Sequence, residues 1–268
     1  MHLRHAILRL LYATPRFRGR DRLIGAIASS FVAKPTRLAD GLAMQLDASE
    51  WIQLEILVHG AAEPATLALI AGLVREGDSV IDVGAHVGHH ALVAARAVGA
   101  TGRVYAIDPQ PYNADRIARN AALNGLANLV AVCAAAGKES GFIKLPIQND
   151  RDRARLSLLE RGPNDLGVMV EVPLLRLDEF LTANDVTAPK LVKIDVEGYE
   201  LEVLLGLGSR LGACENVILE VLENADPRRT GEIAKLLADA GFALKSVEGK
   251  FWQPGISLPE NNLWASRE

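Results

Sequence analysis

Short, mostly apolar runs recur along the chain, and most are followed by a segment whose apolar residues fall at helical spacing. The runs are Val80 to Val83, Val104 to Ile107, Leu129 to Cys133, Leu191 to Asp195 and Val217 to Val221. Helical segments follow at His90 to Val98, Pro111 to Leu123, Tyr199 to Leu207 and Pro227 to Ala240. Such alternation predicts a parallel sheet covered by helices on both faces. Asn124-Gly125 and Gly241 stop two of these helices in the left-handed conformation that glycine tolerates. The tail segments Phe242 to Val247 and Asn262 to Ser266 predict a closing antiparallel pair, which makes seven strands in all.

Two regions break the rhythm. Residues 134–190 are expected to form a cap or lid, with a hairpin around Phe142 to Leu145, a charged stretch, and a strand from Val168 to Leu177. Ahead of the alternating core, Leu42 to Asp47 reads as extended, while Glu50 to Leu57 and Pro64 to Val74 read as helices, the second with proline in its first turn. Residues 1–49 are thus an N-terminal helical leader plus an extended segment, broken near Pro15 and Pro35, and 50–268 are the main domain.

Composition narrows the class. The 268 residues are 49% hydrophobic and 23% charged, with a net charge of −4, which gives no overall drive toward nucleic acid. Cys133 and Cys214 have neither metal nor disulfide spacing, and a reducing cytoplasm is the default compartment. The leader carries Arg4, Arg9, Arg16, Arg18, Arg20 and Arg22 before an apolar run from Leu23 to Ala33, too short to cross a bilayer. It has the outline of a signal peptide, but the charged head is long and no clear cleavage site follows. It could instead lie on an anionic membrane surface, hold an anionic substrate, or pack on the main domain as a partly solvated helix.

The candidate chemistry gathers where the apolar runs end. Asp82-Val83-Gly84-Ala85-His86-Val87-Gly88 turns from the first core strand into a helix. Gly84 can adopt a conformation closed to other residues and lets a ligand approach the main chain, and Gly88 lets the helix sit against the strand. A dinucleotide site prefers glycine where His86 stands, so a diphosphate fits poorly. A carboxylate at Asp82 suits a cationic or amine-bearing ligand such as S-adenosylmethionine. Asp108, 24 positions after Gly84 and followed by Pro109, ends the second strand, where an acid can hold a ribose diol.

At the fourth strand, Lys193 and Asp195 point to one face, costly in a buried sheet unless they are paired or open to a cleft. Asp195 is the first candidate to orient or deprotonate an acceptor and Glu197 the second, although acids opening a helix also serve its dipole. Glu220 could join Asp195 in an acidic cluster able to hold a divalent metal, but no ligand spacing demands one and none is assigned. His89 and His90 begin the first core helix as caps, packing residues or a base. Arg151, Arg153, Arg155 and Arg161 lie in a flap or a solvated loop from Asn149 to Leu166.

Three stretches together resemble one family. They are Asp82 to Gly88, Gly102 to Pro109, and Leu191-Val192-Lys193-Ile194-Asp195-Val196-Glu197-Gly198-Tyr199-Glu200, with Glu63-Pro64, Asn120, Asn124 and Leu177-Asp178 in order between and around them. Over roughly residues 50–222 the chain is similar to the FkbM family of S-adenosylmethionine-dependent methyltransferases. It departs at His86, where the family more often has Asn, and at Asp108, where it more often has Glu; His89 and His90 stand where aromatic residues are common.

The resemblance implies an α/β fold, the seven-stranded, mostly parallel Rossmann-like sheet of class I methyltransferases, with an N-terminal helical extension and a β insertion. It implies S-adenosylmethionine as cofactor and methyl transfer to a hydroxyl on a sugar, glycan or natural-product acceptor. Asp82, Gly84, Ala85 and Gly88 would line the methionine end and Asp108 the ribose. Glu63, His86 and Pro109 complete the expected cofactor-binding set, with Asp195 and Glu197 as catalytic residues. A nicotinamide-dependent oxidoreductase on a related sheet, or a non-catalytic S-adenosylmethionine-binding module, are the alternatives.

Overall fold

The computed structural model describes residues 35–48, 50–147, 168–221 and 227–267, with scattered positions between 7 and 27. The leader arginines and the Arg151 to Arg161 flap fall outside the described residues.

A small ribbon of β1 (Thr36–Arg37) and β2 (Ala43–Met44) leads into α1 (Trp51–His59) and α2 (Pro64–Leu73). The core alternates as β3 (Ser79–Val83), α3 (His89–Val98), β4 (Arg103–Asp108), α4 (Pro111–Leu123) and β5 (Leu129–Cys133). An insertion follows, of β6 (Ala135–Gly137), β7 (Gly141–Ile147) and β8 (Val168–Arg176), then α5 (Leu177–Ala183). The alternation resumes with β9 (Leu191–Ile194), α6 (Glu200–Leu207), β10 (Asn216–Glu220), α7 (Pro227–Asp239), β11 (Ala243–Ser246) and β12 (Asn262–Ser266).

The main sheet has seven strands in the order β5-β4-β3-β9-β10-β12-β11. Neighbours from β5 to β10 are parallel, and β12 runs against both β10 and β11, which gives the expected closing pair. This is the Rossmann-like sheet of class I methyltransferases. Chain order reverses between β3 and β9, the kind of switch point where open α/β sheets bind ligands.

Apolar residues on both faces of each central strand explain why both faces are covered. On one, Val80, Val104, Leu191 and Ile218 pack with residues of α1 to α4; on the other, Ile81, Tyr105, Val192 and Val217 pack with residues of α5 to α7. The Phe142 to Leu145 segment does not turn back on itself. It lies inside the single strand β7, whose antiparallel partner is β8, because Ile143, Leu145, Val170 and Val172 form one continuous stripe of alternating apolar positions. Helix α5, not anticipated from sequence, begins directly after β8, with Asp178 and Glu179 in its first turn and Leu177 and Leu181 buried.

Asn120 and Asn124 on α4 tie down the segment before α1. Asn120 Oδ1 accepts from Gln45 N at 2.8 Å and its amide donates to the Val87 carbonyl at 3.0 Å, while Asn124 exchanges two hydrogen bonds with Ala43. Among the described residues no single helix is long and apolar enough to cross a membrane. Helices α1 and α2 meet that length and composition only when taken together, across a 76° bend.

Candidate active site

The turn after β3 is shaped by close backbone approach. Gly84 has φ 78°, and a Cβ placed there would sit 1.7 Å from the Asp195 carbonyl oxygen, so the end of β3 can press against the end of β9 only with glycine at this position. The Gly84 and Ala85 amides both donate to the Ile107 carbonyl, at 2.8 and 3.1 Å. His86 also takes a positive φ, 51°, and its amide donates to Asp108 Oδ2 at 2.9 Å.

Asp108 is therefore tied into the turn. Its Oδ1 accepts from the Gln110 amide at 2.9 Å and from Asn113 Nδ2 at 3.0 Å. Three donors occupy most of the roughly four lone-pair sites of a carboxylate, so both hydrogen bonds expected from a ribose diol require one of these donors to yield. Burial raises the Asp108 carboxyl to about 7 despite the three hydrogen bonds, which pull the other way.

A cleft, partly open to solvent, lies against this turn. Gly84, His86, Asp108 and Pro109 line it together with Asp195, Glu197 and Tyr199, the Asp195 main chain lying directly against Gly84, and Ala134 to Ala136 with Ile143, Leu145 and Leu174 of β7 and β8 form an apolar wall. Of the sequence candidates, these six (Gly84, His86, Asp108, Pro109, Asp195 and Glu197) share the cleft. Gln110, Asn113 and Tyr199 also line it, and sequence reading did not single them out. Gln110 and Asn113 stand beside Pro111 at the start of α4, and their proximity to the strand tip was the available signal.

Asp82, Ala85, Gly88 and Glu63 lie off the cleft wall. Ala85 is buried in the core, and Gly88, with φ 88°, begins α3 against Ile117. Asp82 stands opposite Lys193 on the parallel neighbour β9, and both side chains are almost fully buried. Neither carboxylate oxygen of Asp82 has a hydrogen-bond partner among the described residues. Burial raises its carboxyl, and the charges of Lys193 and His90 oppose that rise. Lys193 Nζ donates to Asp195 Oδ2 at 2.9 Å; burial disfavours its ammonium, but Asp195, Asp82 and Glu63 together hold its pKa above the ordinary lysine value.

Glu63 precedes α2 with φ 52° and does not cap it. Its Oε2 lies 3.3 Å from His90 Nε2 and accepts from Asn262 Nδ2 at 3.1 Å. Burial pushes this carboxyl up, but the hydrogen bond and charge of His90, with Lys193 and Asn262, outweigh burial and hold it at about 2. The capping falls to Glu260, which accepts from the Ala65 and Thr66 amides at 2.9 Å each and from the Thr66 hydroxyl at 2.8 Å.

His86 Nε2 lies 3.6 Å from Glu50 Oε2, and burial lowers this imidazole to about 4, so it is neutral at pH 7. His89 is likewise buried, with its pKa lowered to about 4. Among the described residues, no group of three or more His, Cys, Asp or Glu side chains is disposed to hold a metal ion.

This donor set fits S-adenosylmethionine. The apolar wall suits a purine, and the carboxylates that line the cleft suit a sulfonium and an amine.

Residues 82–244 match the methyltransferase FkbM domain. Hexuronic acid methyltransferase AglP of Haloferax volcanii is 26% identical over 216 residues, which cover 81% of this chain and 83% of that protein. Methyltransferase 1 of Beauveria bassiana is 24% identical over 192 residues, covering 65% and 76% respectively. Among solved structures, methyltransferase FkbM from Methylobacillus flagellatus matches with a TM-score of 0.48 and 17% identity, covering 92% of this chain and 60% of that one.

Proposed function

This chain belongs to the FkbM methyltransferase family and uses S-adenosylmethionine, and from that premise we propose that it methylates a hydroxyl oxygen on a sugar, glycan or natural-product acceptor. The observation that carries the reading is the cleft itself, which brings Gly84 and Asp108 together with Asp195 and Glu197. The similarity to a hexuronic acid methyltransferase supports a sugar acceptor.

When bound, S-adenosylmethionine supplies a methyl group on a sulfonium that leaves as a neutral thioether. In this reading Asp108 offers its remaining lone-pair capacity to the ribose, and Gly84 and His86 meet the methionine end with Pro109 beside them, Ala85 and Gly88 shaping the turn from behind. Asp82 lies beneath the turn beside Lys193, and Glu63, paired with His90, contributes from further off. An acceptor hydroxyl enters beside Asp195, which orients it and takes its proton as the oxygen–carbon bond forms, with Glu197 alongside. Alignment is the larger demand, since the leaving group is already good.

The nicotinamide alternative is disfavoured by His86, which stands where a dinucleotide turn prefers glycine, lines the cleft, and commits its amide to Asp108 instead of leaving it for a phosphate. The test is transfer of labelled methyl from S-adenosylmethionine into a panel of hexoses, hexuronic acids and their glycosides, with product mapping of the methylated atom. Calorimetry with S-adenosylhomocysteine and with NAD runs in parallel. Methyl esters rather than ethers would overturn the hydroxyl reading, and binding of NAD alone would overturn the family-based one.

A further inference from the structure

Leu219 on β10 stands in register with Ile194 on β9, so the next residues along these parallel strands, Glu220 and Asp195, emerge side by side at their carboxyl ends. Ile194 and Leu219 face the α5 to α7 core, which turns Asp195 and Glu220 to the opposite face, with Lys193 and Asp82. Their carboxyl groups are close enough for a side-chain hydrogen bond. Two ionised carboxylates are acceptors only and repel each other, so a bond between them requires a proton.

The second Glu220 oxygen agrees. Oε2 is buried with no hydrogen-bond partner among the described residues, a place costly for an ion and tolerable for a neutral acid. The charges that raise Glu220 are those of Asp195 and Glu197 from the loop after β9 and Glu200 at the start of α6; Lys193 and Asp82 share its face, with the Lys193 ammonium bound to Asp195 Oδ2, and its register partner on β12, Asn262, is neutral. Burial first, then these charges, raise the Glu220 carboxyl to about 9.

We propose that Glu220 is a positioning residue of the acceptor site: as a neutral acid it donates a hydrogen bond to Asp195, which Lys193 already holds by Oδ2. Clamped by these two donors, the Asp195 carboxylate keeps one fixed orientation toward the cleft. Lys193 alone would leave it free to swing about that contact. The inference rests on the reading that Asp195 meets the acceptor.

The test compares the full-length wild type with E220Q, E220A and D195N. Infrared difference spectroscopy at pH 7 should show a protonated-carboxyl band in wild type that is lost in E220Q. That band should bleach near pH 9, where the Glu220 acid ionises. In D195N, lacking the neighbouring charge, bleaching should occur about 1 pH unit or more lower. No band in the wild type minus E220Q difference, or a midpoint unmoved in D195N, overturns the hydrogen-bonded pair.

With labelled S-adenosylmethionine and the hexose and hexuronate panel, E220A should lose about 10-fold to 100-fold of turnover. E220Q, whose amide N–H can replace the acid O–H, should keep most of it, and both should bind S-adenosylhomocysteine as wild type does. Full turnover in E220A overturns the positioning role. If D195N itself keeps full turnover, the assignment of Asp195 fails instead, and the infrared arms still decide whether the two carboxyls share a proton.

Discussion

The Asp108 carboxylate accepts the backbone N–H of His86 at 2.9 Å, so the tip of β4 fixes the shape of the turn that leaves β3. Two motifs that look independent along the chain are one hydrogen-bonded unit. Changing Asp108 therefore alters both a candidate ribose contact and the loop beside it.

D108A should weaken S-adenosylhomocysteine binding by more than about tenfold, the scale of one charge-assisted hydrogen bond. D108N, which keeps an acceptor oxygen but no charge, should fall between. Titration calorimetry measures both, and unchanged affinity in D108A would remove Asp108 from the ribose site.

Cofactor affinity should rise with pH through about 7. Ribose hydroxyls donate to the carboxylate, but the empty folded site holds Asp108 near pKa 7, so below that value binding must first expel a proton. Affinity for S-adenosylhomocysteine should then fall by up to about tenfold per pH unit below 7. Proton release on binding, read by calorimetry in buffers of different ionisation enthalpy, should vanish in D108N.

The same group sets a stability trend. Its folded value of about 7 lies above the ordinary 3.8, so the stabilisation it gives is complete below 3.8 and lost as pH rises through 7. Glu220 acts with the same sign up to about 9, whereas Glu63, held down at about 2, has the opposite sign: its stabilisation is present above 4.5 and is lost as pH falls toward 2. The wild-type melting midpoint should drop by about 2 °C or more between roughly pH 5 and pH 8, and D108N should flatten part of that drop.

D195N should abolish turnover while S-adenosylhomocysteine affinity stays near the wild-type value, since the substitution keeps size and removes the proton acceptor. Substantial methyl transfer by D195N would end its proposed role.

G84A should be the least tolerated glycine substitution in the turn. Its methyl would lie 1.7 Å from the Asp195 carbonyl oxygen, at φ 78°, and backbone cannot yield as a side chain can. At Gly88 the nearest atom is the flexible Ile117 Cγ1 at 3.2 Å, which leaves mainly the left-handed penalty of about 1–2 kcal/mol. Denaturant unfolding should rank G84A well below G88A, and equal stability would refute the close-contact account.

Much of the architecture was legible in advance because each central strand is a short apolar run bounded by its own stop. Asn124-Gly125 and Gly241 marked helix ends, and Asp82 to Gly88 marked the turn. Sequence alone did not reveal which acids reach the cleft. Asp82 and Asp195 share one face near the switch point, yet Asp195 lines the cleft past the end of β9 while Asp82 is sealed beside Lys193 within the sheet, a distinction made by position along the strands and helix cover. Long-range partners were equally hidden: nothing local shows that Glu260 rather than Glu63 satisfies the amides opening α2, 195 residues away.

That cap has a consequence for how the protein is made. While a nascent chain emerges from the ribosome, the amides of Ala65 and Thr66 must wait for Glu260, and Glu63 for Asn262, each nearly 200 residues further along. The face of the sheet holding the buried Asp82 and Lys193 side chains is thus closed only after the strands that bear them are already outside the exit tunnel.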